Sequence, residues 1–448
     1  MAGELVGWDL GIGYASFAPS SDYQPIVKLE SPYPVHSNVR FRTMRKLSHA
    51  AIGPQGCAKP DMIAMQEQQR TRLLTKIVQL GKRHKEGCDF EEMIKLASAS
   101  LVLKITYGYQ VISDKHDKLV EIADNAMAGF GAAASPGAFW VDYLPILKRV
   151  PAWFPGAGFK KAAQQMRAAR ERLYDIPFEL VKSKMASRTV PPSMVSTLLA
   201  SEAHSPADEE LVKAIAASLY SASVETTQSS LMSFLLAMLL HPDVQRRAQA
   251  ELDALLGLPS SASGSRIPSV HDRVNLPYIN ALVKEVWRWN PSVPVGLPHR
   301  VTQDDVYRGF FIRKGTIVYP NIWSMFHDPE TYPSPFEFIP DRFLNDGSTL
   351  KALEKTADPS WIAFGFGRRI CPGMHIADSS VFLYIASMLY LFDVVKAKDE
   401  DGGDIEPKVE YDGFISQPSP FKCRLVPRSA EVEEMIAREG QDVFGGVE

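Results

Sequence analysis

Phe364-Gly365-Phe366-Gly367-Arg368-Arg369-Ile370-Cys371-Pro372-Gly373 is the most chemically specific stretch of this chain. It presents one thiol inside a tight, cationic loop. Two glycines before the sulfur and one after it let the backbone bend close to a flat group, because glycine accepts conformations that side chains forbid. Arg368 and Arg369 favour thiolate over thiol, and the thiolate is the form that binds metal. Past Gly373 an apolar run extends from Ile376 to Phe392 with the spacing of a buried helix. The sulfur therefore lies just ahead of a helix N-terminus, whose partial positive charge stabilises an anion. Two readings stand at this point: a haem-iron ligand, or a structural cysteine in a glycine-rich turn, since Cys is among the most buried residue types.

The rest of the chain bounds these readings. With 448 residues and 45% hydrophobic content it can bury a large core. Length alone suggests about three domains, but the richest Pro/Ser/Gly stretch, residues 259–269, reads as a surface loop and not as a linker. A net charge of −3 leaves no basic surplus for a nucleic-acid partner. The four cysteines, at positions 57, 88, 371 and 423, are far apart and form no CxxC pair, which argues against a zinc site or a disulfide framework. No uninterrupted run of 18 apolar residues and no signal-peptide core is present, so no membrane-spanning segment is expected.

Helical periodicity dominates from Pro60 onward, with amphipathic patterns near residues 61–85, 160–186 and 242–256. Strand-like pieces are short: Val306 and Tyr307, residues 310–312, 316–319, and the tail around 409–411 and 421–426. The expected fold is mainly α with small β-sheets. A long helix is predicted from about Glu209 to Leu240, about 48 Å at 1.5 Å per residue. Its middle, Ser221-Ala222-Ser223-Val224-Glu225-Thr226-Thr227, puts a carboxylate and hydroxyls between apolar flanks. Such groups are costly inside a core unless they have partners or a task; the alternative is a helix that surfaces at its midpoint. Further on, Glu285 and Arg288 stand three apart and can pair on one helix face.

The thiol loop, Phe-x-x-Gly-x-Arg-x-Cys-x-Gly, resembles the haem-binding loop of the cytochrome P-450 family. The family's other motifs follow in order: residues similar to its Ala/Gly-Gly-x-Asp/Glu-Thr-Thr at Ser223-Val224-Glu225-Thr226-Thr227, its Glu-x-x-Arg at Glu285 and Arg288, and its Pro-x-Arg-Phe at Pro340-Asp341-Arg342-Phe343. The resemblance implies a cytochrome P-450 fold and haem b with Cys371 as axial ligand, with Phe364, Gly367 and Gly373 shaping the loop and Arg369 on a propionate. It also implies an acid–alcohol pair, Glu225 and Thr226, that delivers protons to dioxygen, and a triad of Glu285, Arg288 and Arg342. His299, in Leu297-Pro298-His299-Arg300, and Arg45, in Arg40-Phe41-Arg42-Thr43-Met44-Arg45-Lys46, match propionate ligands of the family, with Phe41 where the family has Trp. Ser223 stands where the family has Gly, a hydroxyl where the helix usually loosens to admit oxygen. Val293 and Leu297, with Phe414 and Ile415 of Gly413-Phe414-Ile415-Ser416, are the candidate pocket walls, and their apolar character implies a hydrophobic substrate.

The implied activity is a haem-thiolate monooxygenase acting with O2 on a small hydrophobic molecule, of the kind found in fungal secondary metabolism. Electrons would come from NADPH through a separate flavin reductase, because no Gly-x-Gly-x-x-Gly follows a strand here. Arg42, Lys46 and Arg368 are the expected docking cations. The resemblance implies the cytosolic face of the endoplasmic reticulum, or the cytoplasm, with peripheral membrane contact. It covers about residues 40–428. The family's anchor, first sheet and first helices have no counterpart, and Gly7-Trp8-Asp9 stands almost at the start. The expected organisation is an atypical N-terminal segment over residues 1–39, a single haem-binding domain over 40–430, and a polar tail over 431–448. Two rivals stay open: a haem-binding remnant without turnover, and a haem-thiolate isomerase or peroxide-using enzyme.

Overall fold

The computed structural model describes residues 1, 5–8, 11–12, 37–111, 117–135, 137–200, 206–260 and 265–444. The chain is mainly helical, and its described strands form five two-stranded antiparallel sheets. It divides into two compact units, one of residues 1–56 and 99–224, the other of residues 57–98 and 225–448.

In the first unit the helices Lys118–Ala134 and Gly158–Ala186 pack on each other. Asp117 starts the former by accepting from the Leu119 and Val120 amides, so donors that a helix N-terminus would leave orphaned are satisfied. The described N-terminal residues join this body. Trp8 is buried, with its ring edge-on to Phe130 at 5.1 Å, and the buried Arg170 donates to the Gly7 carbonyl at 2.9 Å. Asp9 and residues 13–36, part of the atypical segment, lie outside the described residues.

The second unit holds the larger core. Leu231, Phe234, Leu235 and Leu236, in the C-terminal half of the helix Pro206–Leu240, are fully buried. The helix Pro277–Trp289 begins with Pro and has no side-chain cap of its own. Glu251, on the helix Pro242–Leu256, supplies one by accepting from the Tyr278 and Ile279 amides at 2.7 and 3.0 Å. Burial pushes the Glu251 carboxyl up, and those two amides pull it back. The helix Met374–Leu391 is long and apolar enough to cross a membrane by length and composition, but 72% of it is buried inside the protein.

Two elements differ from expectation. The apolar run ending at Phe392 continues as the strand Phe392–Lys396, paired with Cys423–Pro427; Gln245 binds both backbone groups of Val394, at 2.7 and 3.2 Å, so that residue's polar groups are not orphaned. The expected polar tail contains the helix Val432–Phe444, which packs on the helix Pro60–Arg83. Val432, Met435 and Ile436 recur at helical spacing and are buried. Arg70 of the partner helix, itself buried, pairs with Glu439 and donates to the Pro268 carbonyl at 2.7 Å.

Candidate active site

The thiol loop is built from the second unit's own elements. Asp358 caps the short helix Pro359–Ile362 and is gripped by Lys284 of the helix Pro277–Trp289, at 2.7 and 2.8 Å. The loop leaves that cap, and Phe364 stacks edge-on against Trp287 at 5.2 Å. The Cys371 amide then donates back to the Phe364 carbonyl at 2.7 Å, closing the turn. Gly365 and Gly367 take φ of +83° and +57°, values that L side chains rarely adopt, and a Cβ on either would meet nothing within 4 Å. The loop thus presents an open, backbone-lined face beside a half-buried sulfur. The helix Met374–Leu391 begins three residues after Cys371 and aims its N-terminus at the loop.

Donor chemistry decides what this cradle fits. Among the described residues no group of three or more His, Cys, Asp or Glu could hold a metal. An ion bound at Cys371 must therefore bring its other ligands with it, as iron does in a porphyrin. None of the four cysteines is in a disulfide. Burial pushes the Cys57 and Cys88 thiols up to about 11, with Asp378 and Asp89 adding to the effect, and raises Cys423 further. Those three stay protonated at neutral pH and are poor ligands. The residues around Cys371 fit a haem.

Glu285, Arg288 and Arg342 come together. Glu285 and Arg288 are 0% exposed, which separates this pair from an ordinary surface i,i+3 contact. Arg288 grips Glu285 through two bonds at 2.6 and 2.8 Å, and Arg342 reaches it at 3.2 Å. The spare donors of Arg288 go to the carbonyls of Phe326, Pro335 and Glu337. Burial lowers the Arg342 guanidinium, and Glu285 pulls it back up.

Glu225 and Thr226 are half-buried midway along the helix Pro206–Leu240. Ser223 does not offer its hydroxyl outward: it donates to the Leu219 carbonyl at 2.5 Å, a back-bond within its own helix. The candidate walls are tied to this helix. Ser416, next to Ile415, is buried, accepts from Ser229 at 2.6 Å through its carbonyl, and donates to Asn290 at 2.8 Å. Asn290 donates to Ser233 at 2.8 Å. Val293, Phe414 and Ile415 are half-buried and Leu297 is exposed. His299 is exposed, in the pair His299–Arg300 with Ile317–Val318. Arg369 is half-buried in the loop, and Arg45 is half-buried on the helix Ser37–Ile52 of the first unit. Ser416 closes the turn expected to form a pocket wall, whereas Asn290, Ser292 and Gln417 carry no sequence signal: isolated polar residues show no periodicity, and their partners lie 57 to 192 positions away.

A mainly helical body with one half-buried thiol in a glycine cradle fits the class of haem-thiolate proteins. The Cytochrome P450 family profile matches residues 33–425, and the chain belongs to that family. It is 41% identical to Cytochrome P450 monooxygenase 208 of Postia placenta, over 97% of this chain and 78% of that protein. It is 38% identical to Cytochrome P450 monooxygenase claR of Ampulloclitocybe clavipes, over 98% and 75%. Multifunctional cytochrome P450 monooxygenase af510 of Aspergillus fumigatus is 36% identical over 90% of this chain and 73% of its own length. The protein is an oxidoreductase, a haem monooxygenase that uses thiolate-ligated iron, O2, an organic substrate and a redox partner.

Proposed function

We propose that this monooxygenase acts on a small hydrophobic molecule of fungal secondary metabolism, a terpenoid or a polyketide. One atom of dioxygen enters a C–H bond and the other leaves as water: R–H, O2, two electrons and two protons give R–OH and H2O. The observation that carries the reading is the pair Glu225 and Thr226, a carboxylate and a hydroxyl half-exposed in a helix whose flanks include Ile215, Ala216, Tyr220, Leu231 and Phe234, each 0% exposed. When bound, the haem supplies reductive activation of dioxygen, and a thiolate ligand favours O–O cleavage. Cys371 would hold the iron, with Phe364, Gly367 and Gly373 forming the cradle and Arg369, His299 and Arg45 taking the propionates. Thr226 would present its Oγ proton on the oxygen side and Glu225 would replenish it, the two deliveries the balance requires. Val293, Leu297, Phe414 and Ile415 would orient the substrate and exclude water, and the fungal origin of the relatives supports the substrate class.

The electrons would come from NADPH through a separate flavin reductase meeting exposed cations such as Arg368. Peripheral contact with the cytosolic face of the endoplasmic reticulum is supported by Trp140, Tyr143, Ile146 and Trp153, all more than 60% exposed, near Lys148 and Arg149. Aromatic rings and cations together suit the headgroup layer. The deciding experiment is a reduced carbonyl spectrum of the haem-loaded full chain. A strongly red-shifted Soret band that is lost in Cys371→Ser supports the ligand assignment; a band at the unshifted position in the parent protein refutes it.

A further inference from the structure

Two consecutive carbonyls of the central helix carry donors from outside it. Gln417 Nε2 donates to the Glu225 carbonyl at 2.9 Å, and Ser292 Oγ donates to the Thr226 carbonyl at 3.1 Å. A helical carbonyl can take an extra donor beyond its own ladder partner; the Thr226 carbonyl also has Ser230 Oγ of its own helix at 3.2 Å, a longer contact than that of Ser292, with the two hydroxyls 3.4 Å apart. A side chain set on the ladder tilts and fixes that turn. The donors come from two separate segments, and each sits at the foot of a candidate pocket wall. Ser292 immediately precedes Val293, and Gln417 lies two residues after Ile415.

The two segments are also locked to each other. The Ser416 amide donates to the Ser292 carbonyl at 2.9 Å, and Asn290, 4% exposed, bridges Ser416 and Ser233. A satisfied buried polar network specifies one arrangement, because losing a member strands the others. Gln417 Oε1 is buried with no donor among the described residues, so the Glu225 carbonyl is what orients that amide.

We infer that Ser292 and Gln417 are positioning residues: they hold the turn bearing Glu225 and Thr226 in register with the pocket walls, so that wall position and proton delivery are linked. This rests on the proton-delivering reading of Glu225 and Thr226. Losing either donor loosens the turn while the thiol loop and the apolar walls remain. Dioxygen then leaves more often as hydrogen peroxide, with two electrons and two protons consumed and no C–H bond broken.

The test uses the haem-loaded full chain with an NADPH-dependent flavin reductase and 7-ethoxycoumarin as an apolar probe. Ser292→Ala and Gln417→Leu should keep the red-shifted carbonyl band and the probe KM. Peroxide released per NADPH should rise about threefold to tenfold, the scale of one lost hydrogen bond. Ser292→Thr, which keeps the hydroxyl, should restore the parent ratio, and hydrogen exchange of the amides of residues 229 and 230 should quicken only in the first two variants. Thr226→Ala is the reference. If it raises peroxide and the Ser292 and Gln417 variants do not, the inference fails and the reading of Thr226 stands. If Thr226→Ala leaves the ratio unchanged, the reading itself fails. A raised KM at an unchanged peroxide ratio makes Ser292 and Gln417 wall supports only, and overturns the inference.

Discussion

Removing the Glu285 carboxylate tests whether the buried triad braces the thiol loop. In Glu285→Ala, Arg288 loses the two bonds at 2.6 and 2.8 Å while remaining 0% exposed, so its charge stays buried beside backbone carbonyls and the Tyr332 ring without its counter-charge. The Ile339 amide loses its acceptor at 2.7 Å and Arg342 loses its contact at 3.2 Å. Breaking a buried pair by deleting one partner costs about 3–5 kcal/mol, most of it the uncompensated charge. For a unit of this size that corresponds to a fall in melting temperature of roughly 5–10 °C. Haem retention should fall with it, because Trp287, on the same helix, packs against Phe364 of the loop. Calorimetry and loss of the haem absorbance band on heating measure the two effects. The double variant Glu285→Leu with Arg288→Met removes both charges and should recover part of the loss, since the orphaned charge is gone. Added salt should change none of this, because the pair is shielded from solvent. A melting temperature for Glu285→Ala within about 2 °C of the parent would refute the reasoning.

Other outcomes follow from single contacts. Ser223→Ala should leave the peroxide ratio within about twofold of the parent, because the hydroxyl is spent on the Leu219 carbonyl; a larger change in coupled turnover shows that it faces the oxygen side. Burial holds His241 and His327 below their ordinary 6.5. The unfolded chain then takes up protons first as pH falls, so their contribution is complete above 6.5 and is lost through that value toward the lower folded one. Urea midpoints of the double variant His241→Gln with His327→Gln should be flatter than the parent's between about pH 7.5 and 5.5, and equal slopes count against it. Deleting residues 432–448 uncovers the surfaces that bury Val432, Met435 and Ile436 and removes Glu439 from Arg70. At about 1.5–3 kcal/mol per apolar side chain the melting temperature should drop by several degrees, and an unchanged value contradicts the packing. Trp140→Ser with Trp153→Ser should weaken flotation with anionic phosphatidylserine vesicles, whereas equal flotation removes that segment as a lipid contact.

What the sequence discloses depends on how far apart the interacting groups lie. The thiol loop is legible because glycines, cations, sulfur and helix start fall within ten consecutive residues, so the chemistry and its spacing are read together. Glu285 and Arg288 are legible as a pair for the same reason, but that both are 0% exposed is a property of Phe326, Pro335 and Glu337 closing over them, 38 to 49 positions on. Two short elements went unread for local reasons. The apolar run after Gly373 has no breaker at Phe392, and only pairing with Cys423–Pro427 converts its end into a strand. The last helix is rich in Glu and Arg, so its composition suggests a solvated tail, although Val432, Met435 and Ile436 keep the helical period.

The serine and asparagine network marks the limit of such reading. Ser229, Ser233, Asn290 and Ser416 would each be assigned to a helix surface or a turn from their type alone, yet all four are at most 7% exposed. Their polar atoms can be buried only because each finds another, and apart from the Ser233 back-bond to the Ser229 carbonyl within the helix the partnerships run between positions 57 to 187 residues apart. No single-sequence pattern encodes such a pairing, since exchanging any member for a surface serine elsewhere leaves the local pattern unchanged. The apolar walls at Val293 and Ile415 are therefore visible in the sequence as hydrophobic residues. Their attachment to the turn that carries Glu225 and Thr226 exists only in the folded chain, where Ser292 and Gln417 reach two adjacent carbonyls of one helix.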